Sequence, residues 1–196
     1  MTNATKKYLD SYKVVCPSLT KEELNFIAER TSTSELKSKT FYLKKDQVQR
    51  EMSFVYQGLL RSFYIDDKGS EITIQFIREG EYVADYMAFI TQKPTKFYIQ
   101  CIEPCILVNI SFLTIQDAYS NFKNFENYGR KIAEAIVVNK QNRIESFLFE
   151  NAESRYLNFI KQNPSLVNRV SVTHLCSFLG IERQSLTRIR KKLQTK

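Results

Sequence analysis

Thr173-His-Leu-Cys-Ser-Phe-Leu-Gly180-Ile-Glu-Arg-Gln-Ser-Leu-Thr-Arg-Ile-Arg-Lys-Lys-Leu193 reads as two short helices hinged at one glycine, the pattern of a helix-turn-helix. Leu175 and Leu179 sit four apart and so share one face of the first helix. Gly180 falls where a sharp turn needs a left-handed backbone, which glycine adopts without steric cost. Leu186, Ile189 and Leu193 recur at helical spacing in the second helix. At about 100° per residue, Gln184, Thr187, Arg188, Lys191 and Thr195 form the opposite stripe, which is polar and cationic. One stripe can pack while the other is suited to a DNA major groove.

Charge is distributed in the same sense. The chain carries 29 Lys+Arg against 21 Asp+Glu, a net charge of +8. Seven of those cations and one anion, Glu182, fall in Arg169–Lys196, so that segment holds +6 and the first 168 residues only +2. Positive charge gathered at one end is an electrostatic footprint for a polyanion and says little about fold. A basic amphipathic helix can also be merely solvated, or can touch a membrane or a partner protein; the glycine-hinged helix before it favours DNA.

With 196 residues, the chain suits one large domain or two small ones. Its 43% hydrophobic and 13% aromatic content is enough for real cores. No apolar run has the length of a membrane span, and the first residues lack the apolar region of a signal peptide. The expectation is an intracellular, cytoplasmic protein with no membrane partner. Cys16, Cys101, Cys105 and Cys176 are scattered, and His174 is the only histidine. A structural metal needs clustered Cys/His ligands, so no metal, haem or other cofactor is expected. The cysteines read as small buried hydrophobes, with Cys101 and Cys105 also readable as a redox pair across a turn at Glu103-Pro104. No convergent acid–base or nucleophile set and no phosphate loop is visible, so no catalytic residue is assigned and an enzyme is not expected.

The N-terminal stretch reads as helical. Thr20-Lys-Glu-Glu23 is a capping box, and Leu24, Ile27 and Ala28 follow at helical spacing, predicting a helix from about Lys21 to Arg30. From about Ser38 to Ser111 the pattern is that of strands: Phe41–Leu43, Phe54–Tyr56, Leu59–Ile65, Ile72–Ile77, Phe97–Ile102 and Ile106–Ile110. Gln57-Gly58 and Asp66-Asp-Lys-Gly69 supply turns, the second a hairpin turn closed by a glycine. Many short strands at even spacing indicate an antiparallel β-roll or barrel. Beyond Ser111 the chain is helical again. Phe125, Tyr128, Ile132, Ile136, Asn139, Arg143 and Ser146 step by three and four, while Ala133, Val137, Ile144 and Leu148 line a second side. A helix apolar on two sides must bury both. Ile132, Ile136, Asn139 and Arg143 are the expected seam of a homodimer, with Asn139 fixing register; the alternative is packing inside one chain. Glu150–Ser154 breaks the rhythm, and a new helix runs from Arg155 to Lys161 until Asn163-Pro164. The resulting α+β division is 1–111 (β-roll sensor with N-terminal helices), 112–150 (linking and dimerisation helix) and 151–196 (helix-turn-helix domain).

A β-roll, a long helix and a terminal helix-turn-helix, in that order, resemble the catabolite-activator/fumarate-nitrate (Crp/Fnr) family of bacterial transcription regulators. The resemblance is strongest over Glu153-Ser-Arg-Tyr-Leu157, Pro164, Leu179-Gly180-Ile181 and Leu186–Leu193. It implies a cyclic-nucleotide-binding-like jelly roll, with Gly80-Glu81 and Ala84–Phe89 where the family's ligand cassette falls. It also implies double-stranded DNA, a second copy of the chain, RNA polymerase and a small-molecule effector as partners. Carried over residue by residue, the base-reading positions fall on Arg183, Gln184 and Arg188, and Thr187 shares their face. Arginine can bond guanine O6 and N7 in bidentate fashion, and glutamine suits adenine. Ser185 and Thr173, near helix starts, suit phosphates, and Lys191 and Lys192 add sequence-independent attraction. Either arginine can instead be a surface ion pair.

The effector half departs from the family pattern. Where cyclic-nucleotide binders have Gly-Glu, this chain has Ala84-Asp85, and their Arg-Ser/Thr pair aligns near Pro94-Thr95-Lys96, without an arginine. Asp85 keeps a carboxylate for a ribose hydroxyl, and Lys96 offers a point charge without the planar fork that grips a cyclic phosphate. Ala84, Asp85, Thr95 and Lys96 are therefore the candidate effector pocket, with the effector unidentified or absent. The short tail after Leu193 leaves the expectation that the family's β-hairpin wing is missing or cut short. A second functional class stays open: a ligand-sensing or protein-interaction module whose basic tail touches a partner other than DNA.

Overall fold

Two threonines start the chain's first helices. In the computed structural model, which describes residues 1–194, Thr2 Oγ1 accepts from the Thr5 N–H at 3.2 Å and opens α1, Asn3–Val15. Thr195 of the expected polar stripe and Lys196 of the basic segment lie outside the described residues. Thr20 closes the capping box of α2, Lys21–Ala28: its hydroxyl accepts from the Glu23 N–H at 3.2 Å, and Glu23 Oε2 accepts from the Thr20 N–H at 2.7 Å.

Eight strands follow: β1 Thr31–Leu36, β2 Phe41–Leu43, β3 Glu51–Gln57, β4 Leu60–Ile65, β5 Glu71–Ile77, β6 Tyr82–Val83, β7 Tyr98–Cys101 and β8 Cys105–Ser111. A six-residue helix, α3 Tyr86–Thr91, interrupts them. They form two four-stranded sheets ordered β1-β8-β3-β6 and β2-β7-β4-β5. The register pairs Thr31 with Ile110 and Met52 with Ile110 on either side of β8, both antiparallel. Successive side chains of a strand face opposite ways. Hence Val55 and Leu107 join Leu60, Val83 and Ile99 in one core. Their neighbours Phe54 and Val108 pack instead with Tyr8 and Tyr12 of α1.

The β-roll begins earlier than the expected start at Ser38. Thr31-Ser-Thr-Ser-Glu-Leu36 has no apolar alternation because β1 is an edge strand, paired on one side only, to β8; Asn109 Nδ2 donates to Ser34 Oγ at 3.0 Å. The chain's approach to Pro104 also differs from a simple hairpin, since β7 and β8 lie in different sheets. Cys101 and Cys105 are both buried and are not joined in a disulfide. The hydrogen bond between their thiols, together with burial, pushes Cys105 well above the usual thiol range.

Ser111 caps α4, Phe112–Asn121, through a 3.0 Å bond from the Thr114 N–H. The long helix is α5, Lys123–Phe149. By its contacts the chain divides into two units, residues 1–62 with 76–135 and residues 63–75 with 136–196. The second unit holds α6 Ala152–Gln162, a 3-10 turn at Pro164–Leu166, α7 Val172–Leu179 and α8 Arg183–Gln194. Helix α6 starts before the expected Arg155 because Asn151 is its cap, accepting from the Ser154 N–H at 2.9 Å. The buried apolar residues of this unit include Tyr156, Phe159, Leu166, Leu175, Leu179, Leu186 and Ile189.

Candidate nucleic-acid interface and effector cassette

Ser171, not Thr173, caps α7: its Oγ accepts from the His174 N–H at 3.1 Å, and Thr173 stands exposed at the second helical position. The helix ends at Gly180, whose φ of 63° and ψ of 44° are left-handed as expected. Beyond it, the Ile181 N–H returns to the Cys176 carbonyl at 3.1 Å.

The last carbonyls of α7 are held by two arginines. Arg155 Nε donates to Leu179 O at 2.9 Å, while its Nη1 donates to Glu150 O at 2.6 Å. Arg143 Nη2 donates to Phe178 O. The Arg143 guanidinium also lies 3.9 Å from the Phe178 ring centre and 4.3 Å from that of Phe147. Cations suit the negative end of a helix. Burial first, and the neighbouring Arg155 second, lower the Arg143 pKa to about 10. Nothing local in the sequence announces either contact, because each joins separate helices.

Helix α8 presents the two stripes that its spacing implied. Leu186 and Ile189 are buried, while Arg183, Gln184, Thr187, Arg188 and Lys191 are exposed. Ser185 is half-buried, and Arg188 Nη2 approaches its hydroxyl at 3.4 Å. Lys192 departs from the expected role as an open attraction for phosphate: its Nζ bonds Glu153 Oε2 at 2.6 Å. Arg190 Nε likewise donates to the Tyr156 hydroxyl at 3.1 Å. These two cations staple α8 to α6, and the exposed stripe carries the rest.

Of the four expected seam positions, Ile132 is partly buried against the core beneath α1, Ile136 is half-buried and Asn139 is exposed. Arg143 is a correction: it is bonded within its own chain, because its stem reaches the end of α7. The second apolar side is the open one, with Val137 67%, Ile144 54% and Leu148 69% exposed.

The structure brings Ala84, Asp85 and Thr95 together and leaves Lys96 exposed. Asp85 caps α3, its Oδ1 accepting from the Ala88 N–H at 3.5 Å and its Oδ2 from the buried Thr95 hydroxyl at 2.6 Å. Gln49, which sits in a polar run without periodic signal, accepts from the Asp85 N–H at 2.8 Å and donates to Glu51 O at 2.8 Å. Gln92 closes α3 with a left-handed φ of 51° and donates to Phe89 O at 2.6 Å. Each Asp85 oxygen thus accepts one hydrogen bond inside the cassette and keeps a second lone pair.

Residues 34–121 match the cyclic nucleotide-binding domain family. No curated protein matches the sequence. Among solved structures, a protein assigned to the Crp/Fnr transcriptional regulators from Eubacterium rectale aligns with a TM-score of 0.72 at 16% identity, over 94% of this chain and 88% of that one. FixK2 from Bradyrhizobium japonicum aligns with a TM-score of 0.71 at 12% identity, over 84% and 85%. The c-di-GMP-responsive global regulator CLP of Xanthomonas campestris aligns with a TM-score of 0.68 at 15% identity, over 90% and 92%. The fold is therefore that of a cyclic nucleotide-binding jelly roll followed by helices, as in these regulators. Among the described residues, no helix is long and apolar enough to cross a membrane, and no cluster of His, Cys, Asp and Glu could hold a metal ion.

Proposed function

We propose that the chain is a homodimeric, sequence-specific DNA-binding transcription regulator of the Crp/Fnr type that works in the cytoplasm and performs no catalysis. The observation that carries this reading is the exposed stripe of α8, opposite a buried one. Arg183 and Arg188 read guanine, Gln184 reads adenine, and Thr187 contacts the base edges between them. Ser185 and Thr173 meet phosphates, Lys191 adds salt-dependent attraction, and Lys192 contributes less while held by Glu153. Residues 1–111 form the sensor, 112–150 the dimerising link and 151–196 the DNA-binding part. The seam lies on the Val137, Ile144 and Leu148 side of α5, opposite the stripe that carries Asn139. No effector is assigned to the cassette; RNA polymerase is the expected protein partner.

The test is gel shift on a palindromic duplex selected from a random pool, with a scrambled duplex as competitor. Arg183→Ala and Arg188→Ala each lose roughly 1–3 kcal/mol on the selected duplex and less on the scrambled one. Equal losses on both duplexes reassign the arginines to phosphate. Absence of any preference for the selected duplex overturns the reading.

A further inference from the structure

Between α3, α4 and the first turns of α5 lies a cavity of about 80 Å³, closed at the back by Tyr12, Ile27 and Met52. One water needs roughly 10–15 Å³ of such space, so the cavity has room for a molecule of several heavy atoms. None of Ala84, Asp85, Thr95 or Lys96 lines it; the cassette contributes only Tyr86 and Phe89, through the other side of α3. It reaches the surface where Ile90, 48% exposed, and the exposed Gln116 stand at its edge.

The lining fixes the chemistry of an occupant. Eight of its fifteen residues are Tyr or Phe, and no Asp, Glu, Lys, Arg or His is among them. A charged guest would lose its hydration with no counter-charge to replace it, which excludes ions. Rings at varied angles, such as Phe89 against Phe112 at 5.5 Å and 80°, offer edges and faces to a further ring. The Tyr82 and Tyr128 hydroxyls bond each other at 2.6 Å, and burial raises Tyr119 to about 12, so the walls stay neutral. Gly129 adds an independent sign that space here is maintained. A Cβ on it would lie 2.4 Å from the Tyr119 hydroxyl oxygen. Glycine inside a helix is destabilising against alanine, and here it lets the Tyr119 ring lie against α5.

We propose that this cavity is a binding site for a small uncharged aromatic molecule, a ring system with at most a single hydroxyl or N–H group. The site needs no DNA, so it stands or falls independently of the reading of α8. The probe is indole, added to the full chain. The protein contains no tryptophan, so indole emission excited beyond tyrosine absorption carries no protein background. Indole gives a saturable blue shift of that emission and raises Tm; benzoate, a charged ring of similar size, does neither. Ile115→Phe and Ala118→Leu fill the cavity from α4 and abolish the indole response while circular dichroism is unchanged. Ile115 is half-buried, so its variant carries the test if Ala118→Leu does not fold. A response that never saturates, a response that survives in Ile115→Phe, or an equal response to benzoate overturns the site.

Discussion

At Gly180 a single hydrogen stands where any other residue would bring a carbon into two kinds of trouble. The φ of 63° is left-handed, which costs an L-residue about 1–2 kcal/mol. A Cβ would also lie 2.8 Å from Cε1 of Phe147, the ring on which Arg143 stacks. Gly180→Ala is expected to lose about 1–2 kcal/mol from the backbone alone in urea unfolding, and more if the ring cannot yield. Making the same change in a Phe147→Ala background separates the two effects. A second loss equal to the first means that the ring is no obstacle. The turn was legible in the sequence, because Leu175 and Leu179 end a helical repeat just before a glycine. Phe147 was not, since helical spacing says which side a residue occupies and not which distant segment meets it.

Helices α1 and α5 are joined by tyrosines rather than by aliphatic side chains. Tyr8 and Tyr12 share a 2.7 Å hydroxyl bond, Tyr12 stacks on Tyr128 with ring centres 4.3 Å apart, and Tyr128 bonds Tyr82 of β6. Burial raises all four phenols above their ordinary value of 10.0. A raised pKa means that the folded state resists ionisation while the unfolded state does not. The stability these groups contribute is present below pH 10.0 and is lost as pH rises above it. Absorbance titration should show part of the tyrosine ionising late and together with loss of helix circular dichroism. Smooth titration of all tyrosine near the ordinary value would contradict this packing. The strands with apolar alternation and the capping box of α2 were readable. The edge strand β1 and the two-residue β6 were not, because polar or very short strands leave no periodic trace.

For the whole molecule, the open apolar side of α5 bears on the proposed dimer. Ile144→Glu with Leu148→Glu should shift sedimentation from dimer to monomer and weaken binding to a palindromic duplex more than to a half-site. An unchanged dimer would place the seam elsewhere. The two-sided character of α5 was visible in its spacing, but which side would face the chain's own core was not. That choice depends on where Tyr12 and the end of α7 come to lie, and both are set by tertiary packing.

The bonds between Thr73 and Ser177 carry a consequence for modularity. The Thr73 N–H donates to Ser177 Oγ at 3.2 Å, and the two hydroxyls are 2.8 Å apart. A stretch of strand 104 residues upstream is thereby part of the unit that carries α7 and α8. A fragment beginning at residue 151 would leave Thr73, Arg143 and Phe147 behind. The basic terminal segment is contiguous on the gene but not portable as a cassette of sequence, and a chimera that grafts it must bring the strand tip and the end of the long helix with it.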